Sequence, residues 1–187
     1  MTDTDGQPLA PMGDPLPDDA ARLLERYPHR DGYLLQLFRV FANSTRFLRK
    51  GVPNLLDKES PLSLREREIV TLRVTAQLDC EYEWGVHVTA FAEAAGLTPA
   101  QVEATRLGDE SSPVWSSDEA LLVEVVDALC RDATLSDAVR RRFQRSWDAA
   151  QQLEILAVAG TYHTVSYVAR VARLPGEAFG ARFPDAG

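Results

Sequence analysis

Glu68-Ile-Val-Thr-Leu-Arg-Val-Thr-Ala-Gln-Leu-Asp-Cys80-Glu-Tyr-Glu83-Trp-Gly-Val-His87 reads as the second half of one helix, a break at Leu78-Asp79, and the first two turns of another. On the second helix Cys80, Glu83 and His87 stand at i, i+3 and i+7. At about 100° per residue they share one narrow stripe, since residues three and four apart are neighbours on a helix face. A thiol, a carboxylate and an imidazole together are more than packing requires. Glu68 rejoins them only if the two helices pack against each other.

Outward from this pair, the pattern is helical throughout. Ser63-Leu-Arg-Glu66 and Thr98-Pro-Ala-Gln101 are capping boxes, and Gly96 is placed to stop the helix from Glu81 to about Ala95. A helix is expected over 64–77, with Leu64, Ile69, Leu72, Val74 and Ala76 as its apolar set. Ser116 caps another to about Arg131, after a loop that Trp115 anchors. Ser136 opens a basic helix whose Val139, Phe143 and Trp147 point inward, leaving Arg140, Arg141, Arg142 and Arg145 to solvent. The last helix, 151 to about 174, is strongly apolar, and Gly160 within it would let another backbone approach. Upstream, one broad-faced helix is expected over 33–50 and a short one over 20–27, with His29 in the break after Pro28 as a solvated turn residue. No alternating strand pattern is seen. The expectation is an all-α bundle of seven or eight helices: a flexible arm over 1–17, punctuated by Gly6, Pro8, Pro11, Gly13, Pro15 and Pro17, then a single domain over 18–187.

The chain has 187 residues, 45% hydrophobic and 26% charged, with a net charge of −8. That balance is ordinary for a globular domain and argues against a nucleic-acid partner, which would call for a basic stripe. No apolar run approaches the ~20 residues of a membrane span. The acidic opening is unlike a signal peptide, and two cysteines make no disulfide framework, so a reducing cytoplasm is expected. Cys130, at a helix end, reads as inert packing.

From Leu64 to Val102, through L-R-E-R-E-I-V-T-L-R-V, C-E-Y-E-W-G-V-H and A-G-L-T-P-A-Q-V, the chain resembles the carboxymuconolactone decarboxylase and alkylhydroperoxidase D-like family. A weaker likeness takes in W-S-S-D-E-A-L-L and G-T-Y-H-T-V-S. In the peroxidase branch a glutamate is followed by C-x-x-C and a histidine four residues on. Here Cys80, His87 and Glu68 match, but Glu83 replaces the second cysteine. A two-thiol cycle needs a resolving cysteine to condense with the sulfenic acid, so the resemblance points to the decarboxylase-like branch. It implies a cofactor-independent lyase or isomerase acting on a small lactone or enolisable carbonyl acid. Catalytic roles would fall to His87, Glu68 and Glu83, with Cys80, Trp84, Tyr162 and His163 around the substrate. No cofactor or metal is expected, and the resemblance implies a homo-oligomer, as dimer, trimer or hexamer. The competing readings are a single-cysteine redox protein using Cys80, a non-enzymatic oligomer that binds a small molecule, and, more weakly, a metal site of Glu68, Glu83 and His87. Each residue also has a plain structural alternative: Glu68 in a surface ion pair, His87 as a satisfied core histidine, Cys80 as a packed thiol.

Overall fold

The computed structural model describes residues 9–185. Nine helices in chain order make up the fold among them: α1 Asp18–Leu24, α2 Gln36–Phe41, α3 Thr45–Lys50, α4 Leu64–Gln77, α5 Glu81–Phe91, α6 Pro99–Leu107, α7 Ser117–Asp132, α8 Asp137–Ser146 and α9 Ala149–Val171. A two-residue hairpin, β1 His29–Arg30 and β2 Tyr33–Leu34, pairs antiparallel between α1 and α2. The all-α expectation holds.

α4 is the axis of the bundle and packs against α5, α6, α7 and α9. Because it is enclosed on every side, it has no single apolar stripe, and polar residues are buried along it with the aliphatic ones. Those polar groups must find partners inside. Arg73 forks onto both carboxylate oxygens of Asp127 at 2.6 Å and donates to the Thr105 and Gly108 carbonyls, tying α4 to α6 and α7. The Thr75 hydroxyl bonds back to the Thr71 and Leu72 carbonyls. The boxes at Ser63, Thr98 and Ser116 are formed with both their hydrogen bonds, and so is one at Asp148 that opens α9. Trp115 donates from its indole to the Asp109 carbonyl, and the four arginines of α8 lie outside as expected.

Three local expectations are corrected. The helix expected over 33–50 is β2 and two short helices, because Ser44 turns outward and caps α3 by accepting from Phe47 N–H. Just before it, the Asn43 amide donates to the Ala10 and Val40 carbonyls, and Asp31-Gly32 turns the hairpin with φ of 50° and 81°. Gly160 lies on the exposed face of α9, and among the described residues a Cβ there would meet nothing within 4 Å, so no described backbone approaches it. The final helix begins at Ala149 and ends at Val171. Of the arm expected over 1–17, residues 1–8 lie outside the described ones, while Met12 and Asp14 are held by Arg39.

After α9 the chain returns across α5. Glu177 is buried and accepts from the Tyr82 hydroxyl at 2.5 Å, the Tyr33 hydroxyl at 2.8 Å and Gln36 N–H at 2.9 Å. Ala181 N–H donates to the Gly85 carbonyl, and a Cβ at Gly85 would overlap the Ala181 carbonyl oxygen. Glycine is therefore needed at 85 for the tail to lie on the helix. Among the described residues no helix is long and apolar enough to cross a membrane.

Candidate active site

The turn between α4 and α5 sets the site. Asp79 adopts φ 52°, and Cys80 N–H reaches back to the Thr75 carbonyl at 2.8 Å, a tight helix ending that sends α5 back alongside α4. Glu68 on α4 is thereby set against His87 on α5, and its Oε2 accepts from His87 Nδ1–H at 2.8 Å. On the other side of the ring, Nε2 lies 2.9 Å from the Tyr162 hydroxyl of α9 and 3.6 Å from Glu83 Oε1. Phe91 packs on the imidazole at 5.1 Å and Tyr162 meets it edge-on at 5.0 Å between centroids. Glu68, His87, Glu83 and Tyr162 are all at most 6% exposed.

The electrostatics follow from that enclosure. Burial alone would depress the imidazole, but the Glu68 carboxylate on Nδ1 and Glu83 beside Nε2 outweigh it and push His87 up to about 10. At neutral pH the ring is an imidazolium, donating from Nδ1 to Glu68 and from Nε2 to the Tyr162 oxygen. The Tyr162 hydroxyl is held well above its ordinary range, by burial first and then by the charges of Glu83 and Glu68; nearby Thr71 and Arg67 oppose that rise without reversing it.

Five buried side-chain atoms have no hydrogen-bond partner among the described residues: Arg67 Nε, Glu68 Oε1, Thr71 Oγ1, Glu83 Oε2 and Ser166 Oγ. All belong to α4, α5 and α9, the helices that form the site. Each such atom costs about 1–3 kcal/mol when left unpaired, so their concentration here makes these helices a candidate place for an ordered water or a ligand.

Of the residues singled out from the sequence, Glu68, Glu83, His87 and Tyr162 come together. Cys80 sits at the N-cap of α5, one turn before Glu83; burial raises its thiol pKa, and neighbouring Ser166 and Arg170 only partly offset that. Trp84 is not brought to the ring. Its indole donates to Thr105 Oγ1 and it packs on Phe183, so it faces α6 and the tail. Nor is His163, whose Nδ1–H donates to the Ala159 carbonyl on the side of Tyr167. Thr71 and Ser166 were not singled out. Their signal was spacing: Thr71 is one turn from Glu68, and Ser166 one turn from Tyr162. Among the described residues no group of three or more His, Cys, Asp or Glu side chains is placed to hold a metal ion.

The model of the Carboxymuconolactone decarboxylase family matches residues 48–122, which include Glu68, Cys80, Glu83 and His87. A crystal structure of an uncharacterized peroxidase-related protein from Silicibacter sp. TM1040 aligns with a TM-score of 0.76 over 98% of this chain and 100% of that one, at 23% identity. That likeness establishes the alkylhydroperoxidase D-like fold. No curated protein matches the chain. The family match spans α4, α5, α6 and the start of α7, and so takes in the hairpin that carries Glu68 and His87.

Proposed function

We propose that the protein is a cofactor-independent enzyme that moves a proton to or from carbon in a small lactone or enolisable carbonyl acid, by decarboxylation or a related proton shift. The observation that carries this reading is the buried imidazole of His87, fixed at Nδ1 by Glu68 and facing the Tyr162 hydroxyl and Glu83 on its Nε2 side. In a decarboxylation the C–C bond to the carboxylate breaks, carbon dioxide leaves, and the electron pair passes into the conjugated carbonyl as a dienolate. A proton must then be delivered to carbon. His87 holds one throughout the neutral range, and it leaves on the Nε2 side because Nδ1 is committed to Glu68. Glu68 keeps the ring oriented and stabilises its charge, and the neutral imidazole is reprotonated after product leaves.

The redox alternative finds less support. Cys80 is buried, its thiol is held in the neutral form, and Glu83 stands where a resolving cysteine would be needed. We also propose that the molecule works as a homo-oligomer, a reading supported by apolar side chains on the outer face of α9. The test of the chemistry is incubation with candidate lactones and β,γ-unsaturated keto acids in deuterated water. Deuterium at one carbon of the product, lost in His87→Asn, supports the reading. Turnover that leaves carbon-bound hydrogen unexchanged and releases no carbon dioxide refutes it.

A further inference from the structure

We infer that Tyr162 is the residue that delivers the proton to the substrate carbon, with His87 as the proton store behind it. This deepens the reading under Proposed function and rests on it.

The charged ring has two N–H bonds, and the protein occupies both. Nδ1–H is 2.8 Å from Glu68 Oε2, and Nε2–H points at the Tyr162 hydroxyl oxygen, 2.9 Å away. Phe91 packs on the ring itself. No N–H of His87 is therefore left to face a reacting molecule. The proton leaves the ring either through Tyr162 or directly to Glu83. Glu83 Oε1, at 3.6 Å from Nε2, is too far for a hydrogen bond, whereas the phenol stands at an ordinary hydrogen-bond length. Distance selects the phenol.

Tyr162 is built to pass a proton on rather than to end the chain. A phenol both accepts and donates. Its oxygen takes the bond from Nε2–H, so its own O–H points away from the ring. Nearby Thr71 Oγ1 and Glu83 Oε2 are both buried and without a partner among the described residues, so no described residue ties that O–H down. The side chain is also held still. It projects from the inward face of α9 with buried Val158 and Val165, and meets the imidazole edge-on at 90° with centroids 5.0 Å apart.

The transfer balances without a further reactant. As the C–H bond forms at the dienolate carbon, the Tyr162 O–H bond breaks and the Nε2 proton moves to the phenolic oxygen. The hydroxyl is restored and the ring becomes a neutral imidazole, so the negative charge of the dienolate and the positive charge of the ring vanish together. Moving both protons in one step avoids a free tyrosinate, which burial and the charges of Glu83 and Glu68 make costly. Glu68 keeps its bond to Nδ1 throughout.

Proton exchange at His87 tests the relay without depending on turnover. In full-length protein with isotope-labelled histidine, the ring N–H signals of His87 are identified among the three histidines by their loss in His87→Asn. Their exchange with deuterated water is then followed at neutral pH, with Nδ1–H as the internal control. Wild type should exchange Nε2–H faster than Nδ1–H. Tyr162→Phe keeps the ring contact and removes only the oxygen. It should slow Nε2–H by roughly 100-fold, the lower end of what a positioned proton-transfer group contributes, and leave Nδ1–H as it was. A hydroxyl that merely caps the ring predicts the opposite sign, because removing it uncovers Nε2. Unchanged or faster Nε2–H exchange in Tyr162→Phe therefore overturns the relay. A fluorotyrosine placed at position 162 keeps the hydroxyl and makes it more acidic, so it should quicken Nε2–H exchange, and this arm decides if Tyr162→Phe does not fold; an unchanged rate there also overturns the relay. With lactones or keto acids in deuterated water, Tyr162→Phe should lose deuterium delivery while KM stays near that of wild type. Full delivery in Tyr162→Phe with none in His87→Asn sinks the relay and leaves the proton-transfer reading standing. Full delivery in both sinks that reading, and the exchange rates still decide whether Tyr162 carries the proton out of the ring.

Discussion

His87 is where residue chemistry and stability meet, because the carboxylates that would tune it for proton transfer also bias folding. A raised pKa means that the folded state holds the proton more tightly than the unfolded chain. The stabilisation is therefore complete below about 6.5 and is lost as pH rises toward about 10. Thermal melts of wild type and His87→Asn should differ most in mildly acidic buffer and converge above pH 10. A difference that grows with pH would contradict the assignment of charge. In turnover, His87→Asn should lower the rate by roughly 100-fold or more, the ordinary scale of general acid–base catalysis. Glu68→Gln should act in the same direction, with the double variant losing less than the product of the two if they work as a unit. Cys80→Ser should keep the main activity. Peroxide treatment followed by mass spectrometry should find no Cys80 sulfenic acid, and its ready formation together with loss of activity would favour the redox reading. The stripe of Cys80, Glu83 and His87 was legible because helical spacing alone aligns it. The roles of Trp84 and His163 were not. Neighbours in sequence on a helix point some 100° apart, and only the packed partners, Thr105 for Trp84 and Ala159 for His163, show where each side chain goes.

Among the elements, α4 was legible for its caps and its length but not for its surroundings. A helix buried on all sides carries polar residues that look like a solvated face in sequence. Arg67 donates from one guanidinium nitrogen to loop carbonyls, Arg73 pairs with Asp127 and Thr75 bonds its own backbone, pairings that no periodicity encodes. The helix expected over 33–50 fails for a different reason: its apolar positions continue at helical spacing through a break made by Ser44 and Asn43. Asp31-Gly32 was the available hairpin signal, in strands too short to alternate. The tail was the least legible element, since Glu177 reads as one more surface acid until Tyr82, Tyr33 and Gln36 surround it. Its seating makes a sharp prediction. Gly85→Ala places a methyl group against the Ala181 carbonyl, so either the tail lifts or α5 shifts, at about 1–3 kcal/mol as for other overpacked contacts. A lower melting temperature, together with faster proteolysis after Gly176, should follow. An unchanged melt would mean that the tail contributes little to holding α5.

At the scale of the whole molecule, the outer face of α9 is the feature that a single chain leaves unexplained. Leu153, Leu156, Tyr167 and Val171 are 41–70% exposed, and with Gly160 they fall within about 60° of one another at about 100° per residue. The sequence showed α9 to be apolar on more than one side, and only the packed bundle shows which side is left over: Ile155, Val158, Tyr162, Val165 and Ala169 turn inward. Side chains of this size in one stripe are characteristic of an interaction surface. The stripe is nearly centred on Gly160, so a second α9 laid antiparallel across it would present the same residues in return, as a two-fold contact requires. The absent side chain at Gly160 would let the two backbones approach. Gly160→Leu distinguishes this from a role inside the subunit. A Cβ there meets nothing within 4 Å, and leucine favours helix over glycine by roughly 0.8–1 kcal/mol, so the subunit's helicity should be kept or improved. Light scattering should show wild type as an oligomer at micromolar concentration and a reduced mass for Gly160→Leu, with Tyr167→Asp and Val171→Asp acting in the same direction by placing charge in the stripe. If all three variants keep the wild-type mass, or if wild type is itself a monomer, the face of α9 does not join copies of this chain.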